Sequence, residues 1–164
     1  MSGPSPIPGD PCWLDAAQQQ AWRNLAGVLI KLPAALEADM QRKAGISHFE
    51  YFVLAQLSEA PDRTLPMNEL AALSSSSASR LSHVARRLEG RGWISRASSQ
   101  QDGRYTNATL TDAGLDKVVA TAPGHVQTVR SLVVDALSDA ELHQLDSIAQ
   151  RILDRVDPTG DCAC

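Results

Sequence analysis

Hydrophobic positions recur every three or four residues over most of this chain, and only one short region breaks that rhythm. Leu14, Ala17, Ala21, Leu25, Val28 and Leu29 form one apolar stripe, which predicts a helix from about Cys12-Trp13-Leu14 to Leu32. Pro33 kinks that helix or ends its first piece, and Ala34 to Lys43 continues it until Gly45. Ser47-His48-Phe49-Glu50 is a capping box, in which serine and glutamate three apart satisfy each other's end N–H groups. The helix it opens is expected to bury Phe49, Phe52, Val53 and Leu57. Pro61-Asp62-Arg63 reads as a loop, and Pro66 suits the first turn of the next helix, where its missing N–H costs nothing.

The far end of the chain repeats the helical rhythm. Thr111 is an N-cap candidate, followed by Leu115, Val118, Val119, Ala122, Val126, Val129 and Val133. Pro123-Gly124 is expected to bend this long helix. Ser138-Asp139-Ala140-Glu141 is a second capping box, and the helix after it carries Leu142, Leu145, Ile148, Ala149, Ile152 and Val156. These stripes exceed what a domain of this size needs for its own core. The first helix and the last two are therefore expected to bury apolar faces against a second copy of the chain.

Between the two ends, Asn68 to Thr111 follows a different plan. A short helix, Asn68 to Leu73, leads through the turn Ser74-Ser75-Ser76 into a helix from Ser77 to Gly90. Strand-like Trp93-Ile94-Ser95-Arg96 then turns at Gln101-Asp102-Gly103-Arg104 into Tyr105 to Leu110. That order predicts a winged helix-turn-helix: a fold that is mainly α with a small β-hairpin wing, plus terminal dimerisation helices. In the second helix, Ser77 is the N-cap, Leu81, Val84, Ala85 and Leu88 face inward, and Gly90 and Gly92 end it. Its outer face shows Ser79, Arg80, His83, Arg86 and Arg87. Such donors suit base edges and phosphates in the major groove; the alternative is an amphipathic helix with solvated arginines. Arg104 sits near the hairpin tip, where an arginine can enter the minor groove. Asp102 either orients an arginine or favours the turn, and Arg96 either pairs with Asp102 or is a solvated strand arginine.

The ordered set Glu69-Leu70-Ala71, Ser77 to His83, Arg87 to Arg96, Asp102-Gly103-Arg104 and Leu110 to Gly114 resembles the MarR family of transcriptional regulators. The likeness runs from Trp13 to about Val156 and includes Ala122 to His125 and Leu137 to Leu142. The resemblance implies a homodimer with interlocked terminal helices and a wing on each side. It implies that Ser77, Ser79, Arg80 and His83 contact bases and phosphates and that Arg104 is the minor-groove arginine of the wing. Arg86 and Arg87 either join the contact or brace the fold by pairing with an acid. Many members answer to small aromatic or phenolic ligands. Trp22, His48, Phe49 and Phe52 lie on elements that would line such a pocket, although aromatics at helical spacing are more often core. His125, after the bend, reads as solvent-facing or as a partner across the dimer interface.

Charge sharpens this picture. The chain has 164 residues and a net charge of −4. Between Ser76 and Thr106 six arginines face two acids, a local +4 that leaves −8 elsewhere. A basic patch on an acidic body favours one docking face over general coating of nucleic acid. No metal or cofactor is expected. The four histidines, His48, His83, His125 and His143, form no i, i+4 pair, and neither a phosphate loop nor a nucleophile motif occurs. Cys12, Cys162 and Cys164 are too few and scattered for a closed zinc site. Some members of the resembling family sense peroxide through a cysteine near Cys12's position, which keeps a redox-sensing regulator as an alternative. A third reading is a winged-helix module for protein contacts. No apolar run approaches 18 residues and no secretory signal is visible, so a cytoplasmic protein without membrane contact is expected.

The expected division is a disordered arm at 1–11, N-terminal dimerisation helices at 12–45, the DNA-binding domain at 46–111, C-terminal dimerisation helices at 112–156 and a flexible tail at 157–164. The expected function is a dimeric regulator, a repressor on a near-palindromic double-stranded operator, modulated by a small effector.

Overall fold

The computed structural model describes residues 12–98 and 106–157. The arm at 1–11, most of the tail, and the hairpin turn with Asp102, Gly103 and Arg104 lie outside the described residues. The chain divides into two compact units, Met1–Ala35 and Leu36–Cys164.

Helix α1 runs Ala16–Ala44 without a break, and Pro33 lies inside it. Its start falls later than the expected Cys12 to Leu14. Asp15 explains this, because its carboxylate accepts from the Gln18 N–H at 2.8 Å while the Gln18 side chain accepts from the Asp15 N–H at 3.0 Å. That reciprocal pair is an N-terminal stop signal that an apolar stripe does not reveal. In the N-terminal unit, Trp13, Leu14, Trp22, Val28, Leu29 and Ile30 are exposed. Gly45, at φ +66°, ends α1 as expected.

The second unit contains the core. Helix α2, His48–Glu59, opens on the Ser47/Glu50 capping box and buries Tyr51, Val53, Leu54 and Leu57. Phe49 and Phe52, expected inside, are only half-buried, while Tyr51 and Leu54 take the inner positions. A 3-10 turn, Pro61–Arg63, leads to strand β1, Thr64–Pro66, a strand that the sequence pattern does not announce. Pro66 therefore precedes helix α3, Met67–Leu73, and does not occupy its first turn. Helix α4 spans Ala78–Gly90, and the Ser77 hydroxyl accepts from the Arg80 N–H at 3.2 Å. The left-handed residue after α4 is Gly92, at φ +74°, while Gly90 stays helical.

Strands β2, Ile94–Ser98, and β3, Thr106–Leu110, pair antiparallel, and β1 adds to the other edge of β3. Thr64 opposes Thr109, and their hydroxyl oxygens lie 2.9 Å apart. Helix α5, Asp112–Leu132, begins at Thr111, whose hydroxyl donates to the Gly92 carbonyl at 2.7 Å and accepts from the Gly114 N–H at 3.1 Å. Gly114 is required at this junction, since a Cβ there would lie 2.1 Å from the Trp93 carbonyl oxygen. Pro123 lies within α5, and the helix continues past it. Helix α6, Asp139–Val156, starts at the Ser138/Glu141 capping box and contains no buried residue. Leu54, Leu57, Leu70, Leu81, Leu88, Ile94 and Leu110 pack as the centre of one hydrophobic cluster. No helix among the described residues is long and apolar enough to cross a membrane.

Candidate nucleic-acid interface

The turn angle of 100° per residue divides α4 into sectors. Leu81, Val84, Ala85 and Leu88 are buried and fix the inner sector. Directly opposite lie Ser79, His83 and Arg86, all exposed. On one flank stand Arg80, Arg87 and Arg91, and on the other stand Ser82 and Glu89. The five outer residues expected from sequence thus fall into two groups.

On the flank toward α2, Arg87 and Arg91 are committed to the protein itself. The Arg87 Nε donates to Glu50 Oε1 at 2.8 Å, and Arg91 Nη1 lies 3.7 Å from the same oxygen. Glu50 is 2% exposed. Burial pushes its carboxyl pKa up, but the Ser47 N–H and the charges of Arg87 and Arg91 outweigh burial and hold it below the ordinary value. Of the two sequence alternatives for Arg87, the geometry matches the brace. Arg80 has its guanidinium carbon 4.4 Å from the centre of the Phe49 ring. These two residues line an open groove of about 690 Å³ with Glu37, Ser47, Ser79, His83, Val84 and Arg87.

The flank toward the wing is held by Glu89. Its carboxylate accepts from Arg96 Nη2 at 2.6 Å, from Arg96 Nε at 3.0 Å and from the Arg96 backbone N–H at 3.1 Å. These bonds, led by the side-chain one, keep the Glu89 carboxyl below its usual range. Arg96 is therefore neither a free strand arginine nor dependent on Asp102 for an acid. It locks the wing's first strand to the end of α4. Arg104 and Asp102 lie outside the described residues.

The remaining sequence candidates are dispersed. The His48 and His125 rings meet at a tilt of 41° with centres 5.4 Å apart, and the His125 ring centre lies 4.9 Å from that of Tyr51. His125 is thus packed between helices, contrary to a solvent-facing position. It also lines a cavity of about 320 Å³ with Asp39, Lys43, Lys117 and Thr121. Phe52 is half-buried, Trp22 is exposed in the N-terminal unit, and Cys12 is exposed. Cys162 and Cys164 lie outside the described residues. Among the described residues no cluster of three or more His, Cys, Asp or Glu could hold a metal ion.

The sequence model of the MarR family matches residues 46–106. The crystal structure of Sco3205, a MarR family transcriptional regulator from Streptomyces coelicolor solved in complex with DNA, is 38% identical in sequence with a TM-score of 0.87. The likeness covers 94% of this chain and 97% of that one. This chain belongs to the MarR family of transcriptional regulators. A second family member, AbsC from Streptomyces coelicolor, is 34% identical with a TM-score of 0.83, over 88% of this chain and 97% of AbsC. The transcriptional repressor MprA of Escherichia coli K12 is 30% identical over 118 residues, which is 72% of this chain and 66% of that repressor's length. The mainly helical architecture with a small antiparallel sheet agrees with these winged-helix relatives.

Sequence reasoning missed Glu50 as an arginine anchor, because its capping role already accounted for it. It also missed Arg91 and Glu89. A helical wheel of α4 holds the missing signal, since Arg80, Arg87 and Arg91 fall on one flank, turned away from Ser79, His83 and Arg86.

Proposed function

We propose that this family member is a sequence-specific regulator that binds double-stranded DNA as a homodimer at a near-palindromic operator and acts as a repressor. The observation that carries this reading is the outermost sector of α4. Ser79, His83 and Arg86 stand exposed there, while Arg87 and Arg91 on the flank are held by Glu50. A helix presented this way can enter the major groove with donors aimed at base edges and phosphates. Ser77 and Arg80 at its N-terminal end extend the contact, Arg86 adds a phosphate contact, and Arg87 acts as a brace. Arg104 on the wing takes the minor groove, a role that rests on family resemblance alone.

The DNA complex of Sco3205 supports the partner, and the repressor MprA supports the direction of control. Exposed apolar residues on the first and last helices support dimerisation. The effector is a small aromatic molecule, as the family resemblance implies. Phe49 in the α2–α4 groove supports one place for it.

Fluorescence anisotropy with the gene's own upstream DNA and a scrambled control, across a salt series, tests the reading. Tight binding that prefers the upstream sequence, saturating at two chains per site, is expected. Equal, weak and steeply salt-dependent binding to both would reduce the basic face to phosphate attraction and favour a protein-contact module. The same titration with phenolic ligands, or with peroxide and Cys12→Ser, separates a ligand-responsive regulator from a redox sensor.

A further inference from the structure

We propose that Phe49 is a positioning residue for Arg80, holding its guanidinium ready for base recognition; this rests on the DNA-binding reading above. Three arginines share the α2-facing flank of α4, and they are held in two different ways. Arg87 and Arg91 turn toward a carboxylate, so their N–H groups are directed at Glu50. Arg80 lies instead over the adjacent residue's ring, at 4.4 Å. That distance is well within the range of about 6 Å at which a cation is drawn to a ring face.

The difference matters because a guanidinium has two usable surfaces. Its face stacks on aromatic rings, and its edge carries the donor fork that reads guanine O6 and N7 as a pair. The contact with the Phe49 ring needs no hydrogen-bond acceptor, so it draws the cation in without engaging its N–H groups on a carboxylate. Among the described residues no acid pairs with Arg80. The nearest candidate in the groove, Glu37, is engaged elsewhere. One of its oxygens accepts from the His48 N–H at 2.8 Å, and the other accepts from the Gln41 side chain at 3.1 Å.

Phe49 itself is only half-buried, although it stands next to the fully buried Glu50 on a helix rich in core residues. The Arg80 guanidinium lies over its ring, and the residue also packs against the core cluster. A free arginine gives up considerable rotamer freedom when it meets a base, and a side chain already ordered gives up less. The ring therefore raises operator affinity without touching DNA, and it does so only where Arg80 reads sequence.

The test measures operator and scrambled-DNA binding for wild type, Phe49→Leu, Phe49→Tyr, Phe49→Trp, Arg80→Ala and the Phe49→Leu/Arg80→Ala double variant. Phe49→Leu should weaken operator binding about 2- to 5-fold, the size of an exposed cation–π contact, with scrambled-DNA binding and salt slope unchanged. The tyrosine variant should match wild type and the tryptophan variant should equal or exceed it, which keeps the test valid if the leucine variant is unstable. Phe49→Leu should add nothing once Arg80 is alanine. Positioning is overturned if Phe49→Leu equals wild type while Arg80→Ala loses preference, if it tightens operator binding, as a parking role for the ring requires, or if its effect persists in the double variant. A wild type that cannot tell operator from scrambled DNA would sink the regulator reading itself and this proposal with it.

Discussion

Glu50 and Arg87 join α2 to α4 through a 2.8 Å ion pair in which the acid is 2% exposed and the arginine side chain 47% exposed. The two ends of this bond are unequal. Remove Glu50, and Arg87 and Arg91 can turn to water. Remove Arg87, and the buried carboxylate keeps the Ser47 N–H at 2.7 Å but, of its two cations, only Arg91, at 3.7 Å. Stranding a buried charge is the costly case.

Arg87→Ala should therefore destabilise the chain more than Glu50→Gln, by about 2–3 kcal/mol in total, a value reduced because the arginine is partly solvated. Denaturant unfolding measures both. Equal losses would mean that the carboxylate already reaches water. Arg87→Ala should also weaken DNA binding in proportion to lost folded population, with operator preference intact, as expected of a brace and not of a base contact.

His48 and His125 set a second, pH-dependent contribution. Burial lowers both histidine pKa values from 6.5; their mutual repulsion lowers His125 further, while Glu37 opposes the shift at His48 and Asp39 opposes it at His125. Tyr51 faces the pair from α2 with its own pKa raised by burial and by Glu59. Lys43 bonds Thr128 nearby at 3.0 Å, which keeps a further positive charge near α5. A lowered folded-state pKa means that the unfolded chain binds protons first. Stability is therefore full above about pH 6.5 and declines as pH falls from there through the folded values. The carboxylates with lowered pKa, such as Glu50, lose their contribution only below about 4.5. Thermal melting between pH 8 and 5 should show the first loss, and His125→Gln should flatten it. A wild-type profile that is level down to pH 5 would rule the pair out as an acid-sensitive joint.

Much of the fold was legible because local signals and tertiary needs agreed. The boxes at Ser47/Glu50 and Ser138/Glu141, the Ser77 and Thr111 caps and the Gly45 stop all stand where side-chain chemistry puts them. Strand β1 was not legible, since three residues ending in proline carry no periodicity and gain their partner only when β3 arrives from 45 residues away. His125 was misplaced for a related reason. A histidine after Pro123-Gly124 reads as a bend at the surface, but α5 stays helical and turns that ring onto α2. In the site, residue types were legible and commitments were not. Sequence placed Arg80, Arg86 and Arg87 on one outer face; the helical wheel parts Arg86 from the other two, and only packing separates Arg87, paired with Glu50, from Arg80, which meets a ring instead.

The last helix makes the strongest demand for a partner. α6 has no buried residue, yet Leu145, Ile148, Ile152 and Val156 fall on one side of it, and all four are exposed. Burying an isoleucine side chain contributes about 1.5–3 kcal/mol, so this stripe is too costly to leave in water by accident. A second copy offers an identical stripe, and a two-fold interface is self-complementary by construction. Ile152→Glu puts a charge in the middle of that stripe and should shift sedimentation from dimer to monomer at micromolar concentration. Operator binding should weaken in parallel, because one recognition helix alone reaches a single half-site. The secondary-structure content should stay near wild type, since the substituted side chain is exposed and lies outside the core cluster. A variant that sediments as a dimer would show that α6 is not the dimer seam, and the apolar face would need another occupant.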